Sequence, residues 1–160
     1  MGEVRGALDP ARSVVHDRVV AVLGYQAEQI SRDIDCDWVV NLDWQAGLGS
    51  SLSLGTSRLP EQAAILVTLC DQPRVTAEDL QGLQDRFLEN PTTPAVSVYG
   101  DTWGVPAVFP PGWRNRLLKL SGDRGARVLL AEQPDLTRVC MENAAFDVDT
   151  PADREQLDAI

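Results

Sequence analysis

The chain reads as an α/β protein built on a mostly parallel sheet, and three observations carry that reading. Ala64-Ile65-Leu66-Val67-Thr68-Leu69-Cys70 is an apolar run, as expected for a strand buried on both faces beneath helices. That run stops at Asp71, and Pro73 cannot continue a hydrogen-bonded ladder. A carboxylate is thereby set at the carboxyl end of a central strand, where open α/β sheets bind ligands. Strand-like and helix-like segments then alternate along most of the sequence, the pattern of βα units.

The elements follow in order. Met1 to Asp17 is polar, with Pro10 and two glycines, and reads as a loose N-terminus with a helical stretch before Pro10. Arg18 to Leu23 is a strand stopped by Gly24, Gln26 to Asp33 a short helix, and Asp37 to Asn41 a second strand. Gly47-Leu48-Gly49 is a flexible loop entering a helix from Ser50 to Arg58. After the strand ending at Cys70, Thr76-Ala77-Glu78-Asp79 opens a helix with a capping-box pattern, and Leu80, Leu83, Phe87 and Leu88 give it an apolar stripe. Asn90-Pro91 ends it. Pro94 to Tyr99 is a strand. Trp103 to Phe109 reads as a strand at an edge or bend, because Pro106 lacks a ladder donor. Pro111 to Leu120 is a helix, Ser121 or Asp123 caps another through Ala131, and Leu136 to Met141 is the last strand. Thr150, Pro151 and Asp153 have the spacing of N-cap, first helical residue and reciprocal capping carboxylate for a terminal helix.

Composition narrows the classes. A chain of 160 residues is expected to form one domain, 1–160, large enough to bury a core. The net charge of −10 argues against nucleic acid and anionic membranes as partners. No signal peptide or spanning apolar run is present. Cys36, Cys70 and Cys140 are odd in number and scattered, which favours reduced thiols in a cytoplasmic protein, with Cys70 an inert buried thiol. His16 is the single histidine, so a histidine-rich metal site is excluded.

Several residues could carry chemistry. Asp71 suits a hard cation such as Mg²⁺, and hence a nucleoside triphosphate; equally, it could cap its own turn. Asp147 and Asp149 are two apart and share one face of an extended segment; they could join Asp71 at a metal or remain solvated. Gly47, Gly49, Ser50 and Ser51 permit close backbone approach and offer hydroxyls to a ligand, or serve as an N-capped helix start. Arg124 and Arg127 are phosphate forks or solvated arginines. Trp38, Trp44, Trp103 and Trp113 are expected in core and rim packing.

Five motifs in order then resemble one family. Val40 to Leu52 is similar to an Asn-x-x-Trp…Gly-x-Gly/Ser-Ser-Ser-Leu motif, and Leu69-Cys70-Asp71-Gln72-Pro73 to a Cys-Asp-Gln-Pro motif. Trp103 to Phe109 matches Gly-x-Pro-x-x-Phe, and Ser121 to Arg127 matches Thr-Gly-Asp-x-Gly-Ala-Arg. Asp147-Val148-Asp149-Thr150-Pro151 completes the set. The chain thus resembles the MobA-like NTP transferases, nearest to the molybdenum cofactor cytidylyltransferases, over Val19 to Leu157. The resemblance implies a Rossmann-like three-layer α/β/α nucleotidyltransferase fold. It implies transfer of a nucleoside monophosphate, CMP from CTP, to a molybdopterin-type cofactor or similar phosphorylated acceptor, with Mg²⁺. It assigns Asp71, with Asp147 or Asp149, to the metal and to catalysis. Gly47, Gly49, Ser50, Ser51 and Gln72 fall on the nucleotide side, and Gly104, Pro106, Asp123, Arg124 and Arg127 on the acceptor side. A molybdoenzyme or its accessory protein is the implied macromolecular partner.

Two departures accompany the match. The family's opening strand and its Leu-Ala-Ala-Gly-x-Ser-x-Arg-Met-Gly-x-x-Lys loop have no counterpart in Met1 to Pro10, and Lys119 is the only lysine. A first βα unit is therefore expected to be missing. The remaining strands are expected to lack a neighbour, leading to self-association or filling of the gap by residues 12–17 or a second copy. Val105 stands where the cytidylyltransferases often carry histidine, which leaves the acceptor open. Three readings follow: a transferase, a non-catalytic cofactor-binding module, and a truncated remnant or chain begun at an internal methionine.

Overall fold

A computed structural model describes residues 2–15, 18–123 and 125–148. The first helix, α1, spans Gly2–Val14 and runs through Pro10. The helical stretch expected before Pro10 is thus present and continues past it in place of a loose segment, and Arg12 to Val14 do not form a strand. Ala11 and Val14 explain this outcome: both are buried in the core, so packing outweighs the unfavourable proline.

The strands are β1 Val20–Leu23, β2 Asp37–Val40, β3 Ile65–Val67, β4 Ala95–Tyr99, β5 Thr102–Phe109 and β6 Thr137–Cys140. β1 and β2 form a parallel pair, and the other four form a sheet in the order β3-β5-β4-β6. Within that sheet β4 and β6 are parallel, and β5 alone is reversed, antiparallel to both β3 and β4.

The remaining helices are α2 Ala27–Ile30, α3 Leu48–Ser57, α4 Ala77–Glu89, α5 Arg114–Leu117 and α6 Arg127–Ala131. Three layers result. On one face α1 and α4 bury Val14, Leu80, Leu83 and Phe87 with Ala95, Val108 and Met141. On the other, Val96, Ala107 and Phe109 meet Trp113, Leu117 and Leu130, with Leu52 of α3 alongside. Alternation along β4 and β5 sorts these side chains: Ala95 and Val96, or Val108 and Phe109, take opposite faces. None of the described helices is long and apolar enough to cross a membrane.

Four expectations are corrected. β5 is not an edge strand; it lies between β3 and β4. Pro106 is tolerated because the register jumps there, from Val96↔Ala107 to Ser97↔Gly104, so Val105 and Pro106 fall at an irregularity and oppose no residue. The cis Val105–Pro106 bond sits in that step. The fully buried Ser97 donates its hydroxyl to the Pro106 carbonyl at 2.6 Å, replacing a ladder bond. The strand before Asp71 is shorter than its apolar run and terminates the four-stranded sheet instead of lying at its centre. Val20, Ala21 and Val22 of β1, and Leu66 and Val67 of β3, are accordingly only half-buried. Cys70 falls in the following turn and is exposed, not buried. Finally, α6 begins at Arg127 with no side-chain cap from Ser121 or Asp123.

Candidate active site

Asp71 lies in the turn after β3, four residues beyond the strand. Three contacts fasten the segment 144–148 against that turn. The Val148 N–H donates to the Asp71 carbonyl at 2.8 Å. The Gln72 amide donates to the Ala144 carbonyl at 2.9 Å and to the Val105 carbonyl at 3.3 Å. The Arg74 guanidinium stacks over the Phe146 ring, 3.9 Å from its centroid. Asp147, one residue from the Val148 bond, is thereby carried to the Asp71 turn. Asp149 and Arg124, like the helix expected from Thr150, lie outside the described residues.

Gln72 is only 3% exposed, and both of its N–H bonds are used on backbone carbonyls. Its Oε1 is buried without a hydrogen-bond partner. The side chain therefore holds the Asp71 turn, β5 and the 144–148 segment together.

The glycine loop is organised by Asn41, at the end of β2. Its side chain, 5% exposed, donates to the hydroxyls of Ser50 at 2.9 Å and Ser51 at 3.0 Å, and its Oδ1 accepts from the Asp43 N–H. Ser50 in turn donates to the Gly47 carbonyl at 2.8 Å. Both serine hydroxyls thus build the start of α3.

The glycines serve a close approach that the sequence did not disclose. Gly47 has φ +107°, and a Cβ there would lie 2.4 Å from Asp123 Cα. A Cβ on Gly49 would lie 2.8 Å from the Gly122 carbonyl oxygen, to which the Gly49 N–H donates at 2.8 Å. Ser53 adds a hydrogen bond to the Leu118 carbonyl at 2.7 Å. The Gly47–Ser51 loop and residues 121–123 are therefore in direct contact.

On the remaining side, Arg127 donates to the Thr102 hydroxyl at 2.9 Å and lies over Trp103, 5.8 Å from the ring centroid. With Asp123 it lines an open groove of about 570 Å³. Pro106 is fully buried in the strand irregularity, whereas Gly104 faces Tyr99. Tyr99, at the end of β4, was not singled out from the sequence. Its hydroxyl is pushed above its ordinary pKa by burial and by Asp147, with Asp71 acting the same way and Arg127 and the Gln72 amide opposing. The one signal in the sequence was its position, immediately before the Gly100-Asp101 turn. Of the tryptophans, Trp113 is buried, Trp103 half-buried, and Trp38 and Trp44 sit on the rim, Trp44 against Tyr25. Among the described residues no group of three His, Cys, Asp or Glu side chains is arranged around a metal position.

Residues 4–137 match the model of the MobA-like NTP transferase domain. The chain is 33% identical over 144 residues to nicotine blue oxidoreductase of Paenarthrobacter nicotinovorans, covering 82% of this chain and 71% of that protein. It also resembles the solved structure of Rv0371c of Mycobacterium tuberculosis in complex with manganese. That match has a TM-score of 0.79 and 26% identity, over 97% of this chain and 84% of the other. A nucleotidyl transferase of Methanothermobacter shares the fold, with a TM-score of 0.79 at 20% identity over 97% of this chain and 78% of the other. The α/β layering, the order of the motifs and these likenesses agree, and the chain belongs to the MobA-like NTP transferase domain family, a nucleotidyltransferase by family.

Proposed function

We propose that this domain transfers a nucleoside monophosphate from a nucleoside triphosphate, CTP being favoured, to a pterin-type or similar phosphorylated acceptor in the cytoplasm. The observation that carries this reading is the fastening of the 144–148 segment onto the Asp71 turn, which brings Asp147 to the turn that carries Asp71. An acceptor oxygen would attack the α-phosphorus, forming one P–O bond as the bond to the bridging oxygen breaks and pyrophosphate leaves. The residues needed are those that hold and align charge, not a covalent nucleophile.

Asp71 and Asp147, with Asp149, would hold a divalent cation; their hard oxygen donors suit Mg²⁺ or Mn²⁺. Such an ion, when bound, neutralises phosphate charge. Manganese in the Rv0371c complex supports a divalent ion of this kind. Arg127, on the open groove it lines with Asp123, is available to an acceptor phosphate. Asp123 shares that groove, and Gly104 and Arg124 join them by resemblance. A molybdoenzyme or its accessory protein would receive the product.

A second reading keeps cofactor binding and drops transfer. It draws on the direct packing of the glycine loop on residues 121–123, and on a 33%-identical relative named for oxidoreduction. The net charge of −10 and single lysine also oppose triphosphate binding without a cation. Release of pyrophosphate from CTP in the presence of the pterin acceptor and Mn²⁺ separates the two. Transfer predicts release that is lost in Asp71→Asn. Binding of the pterin with no release would overturn transfer in favour of the second reading.

A further inference from the structure

Among the described residues six large apolar side chains stand exposed, and four of them, Tyr25, Leu42, Trp44 and Leu48, lie in the connections that leave the carboxyl ends of β1 and β2. The backbone fixes where the two aromatic rings meet. The Asn41 N–H donates to the Leu23 carbonyl at 2.8 Å, which continues the β1–β2 pairing one residue past β2. Trp44 is then seated on Gly24: a Cβ on Gly24 would lie 2.7 Å from the Trp44 Cβ, so glycine is what admits the indole there. The next residue, Tyr25, holds its ring 5.8 Å from the indole, tilted by 55°. Gln26 turns the chain away at once, in the left-handed region at φ +56°. Trp44 stays 40% exposed and Tyr25 67%. The pair forms a fixed aromatic step at the edge where open α/β sheets bind ligands.

The neighbouring loop makes this step the more telling. Its polar groups are committed inside the protein: the Asn41 amide to Ser50 and Ser51, the Ser50 hydroxyl to the Gly47 carbonyl, and the Gly49 N–H to the Gly122 carbonyl. Groups that could read a heterocycle by its edge are thus spent, whereas the ring faces of Trp44 and Tyr25 are not. A flat ring stacks on such a face whatever its edge pattern. The step also adjoins the start of α3, where Ser50 reaches the Asp43 carbonyl at 3.3 Å. Four side chains fall far short of the roughly 20–30 residues a side of a stable protein interface, so a single ring is the occupant that matches their extent.

We propose that Trp44 and Tyr25 are the stacking platform for the base of the nucleotide: the planar heterocycle lies on the indole, flanked by the Tyr25 ring, and is held by its face instead of its edge. The inference rests on the transfer reading for the identity of the nucleotide; stacking of the heterocycle does not require transfer. Because the contact is with a face, the platform holds cytosine and other bases alike.

The test uses the full chain with Mn²⁺ and three probes: CTP, inorganic tripolyphosphate, which has no base, and cytidine, which has no phosphate. Calorimetry follows the first two, and NMR follows the ring protons of cytidine. Trp44→Leu should weaken CTP about tenfold or more, the loss expected for one stacked base, and leave tripolyphosphate unchanged. Tyr25→Leu should act in the same direction, and Trp44→Phe, which keeps a ring, should retain most of the affinity. Wild type should move the cytidine ring protons upfield, the signature of a ring lying over another, and Trp44→Leu should abolish that shift. Equal CTP affinity in wild type and Trp44→Leu, equal losses for CTP and tripolyphosphate, or no upfield shift with wild type would overturn the proposal. CTP binding and pyrophosphate release that do not depend on Trp44 would sink the platform and leave transfer standing. A Trp44-dependent cytidine shift without pyrophosphate release would do the reverse.

Discussion

Asn41, Gly47 and Gly49 show how a motif read as a ligand loop is first a piece of internal architecture. Asn41 occupies both serine hydroxyls at the start of α3, and the two glycines admit the 121–123 backbone at distances no side chain tolerates. Gly47→Ala meets both a left-handed φ and a Cβ 2.4 Å from Asp123 Cα. A loss of about 2 kcal/mol or more is expected in urea unfolding, from backbone strain and overpacking together. A change under 0.5 kcal/mol, within the range of ordinary surface substitutions, would mean the two loops separate freely. Asp79 supports a pH prediction. Burial raises its pKa, but hydrogen bonds from Asn143 and from the Thr76 N–H and hydroxyl outweigh it and hold the carboxyl below its ordinary value of 3.8. Its stabilisation is therefore complete above that value and lost as pH falls through the lower folded one. Asp79→Asn should cost about 1 kcal/mol at neutral pH, the size of a helix cap, and the gap to wild type should close below pH 3.8. A gap that persists unchanged in acid unfolding curves would place the effect elsewhere.

At the scale of elements, the pairing of β4 with β5 decides where the site residues point. A proline in a central strand is accommodated by two residues that oppose nothing and by one buried hydroxyl that satisfies the Pro106 carbonyl. Ser97→Ala removes that donor and leaves a buried acceptor unpaired, at an expected cost of about 1–3 kcal/mol. Chemical denaturation compared with Ser97→Thr, which restores a hydroxyl, checks it. An alanine variant as stable as wild type would show that water or another donor serves Pro106. α4 was the most legible element. Its capping box of Thr76 and Asp79 and its stripe of Leu80, Leu83 and Phe87 are both formed, because each depends on spacings within a single turn or two of chain; Leu88, read as part of that stripe, is exposed. β5 was read as a strand at an edge or bend: the irregularity at Val105 and Pro106 is there but the edge is not, because a register shift is a property of two strands and one sequence contains only half of it.

For the whole molecule, the decisive feature is a sheet in two parts. β1 pairs only with β2, and β3 only with β5, among the described strands. Leu23 and Ile65 are buried, but Val20, Ala21, Val22, Leu66 and Val67 are only half-buried, and Tyr25, at 67%, and Leu42, at 88%, add apolar surface near the β1 and β2 ends. Residues 12–14 belong to α1 and do not fill the gap. This 160-residue chain is therefore expected to self-associate, with a sedimentation coefficient that rises with concentration. A monomer at all concentrations, with a sharp two-state melt at high temperature, would show that these edges are harmless.

The sequence alone determined the α/β alternation, the capping box that starts α4, and the order of five motifs that mark the family. All of these are encoded in neighbouring residues: apolar period, caps, and short strings of glycine, proline and aspartate. Tertiary structure alone decided that β5 runs through the sheet and that the glycine loop rests on residues 121–123. It also decided that Gln72 is a clamp, and that the 144–148 segment is fastened to the Asp71 turn. Each of these joins segments tens of residues apart, and such contacts follow from which elements share a face and a register. That choice is made by the packing of the assembled core, not by any stretch of the chain.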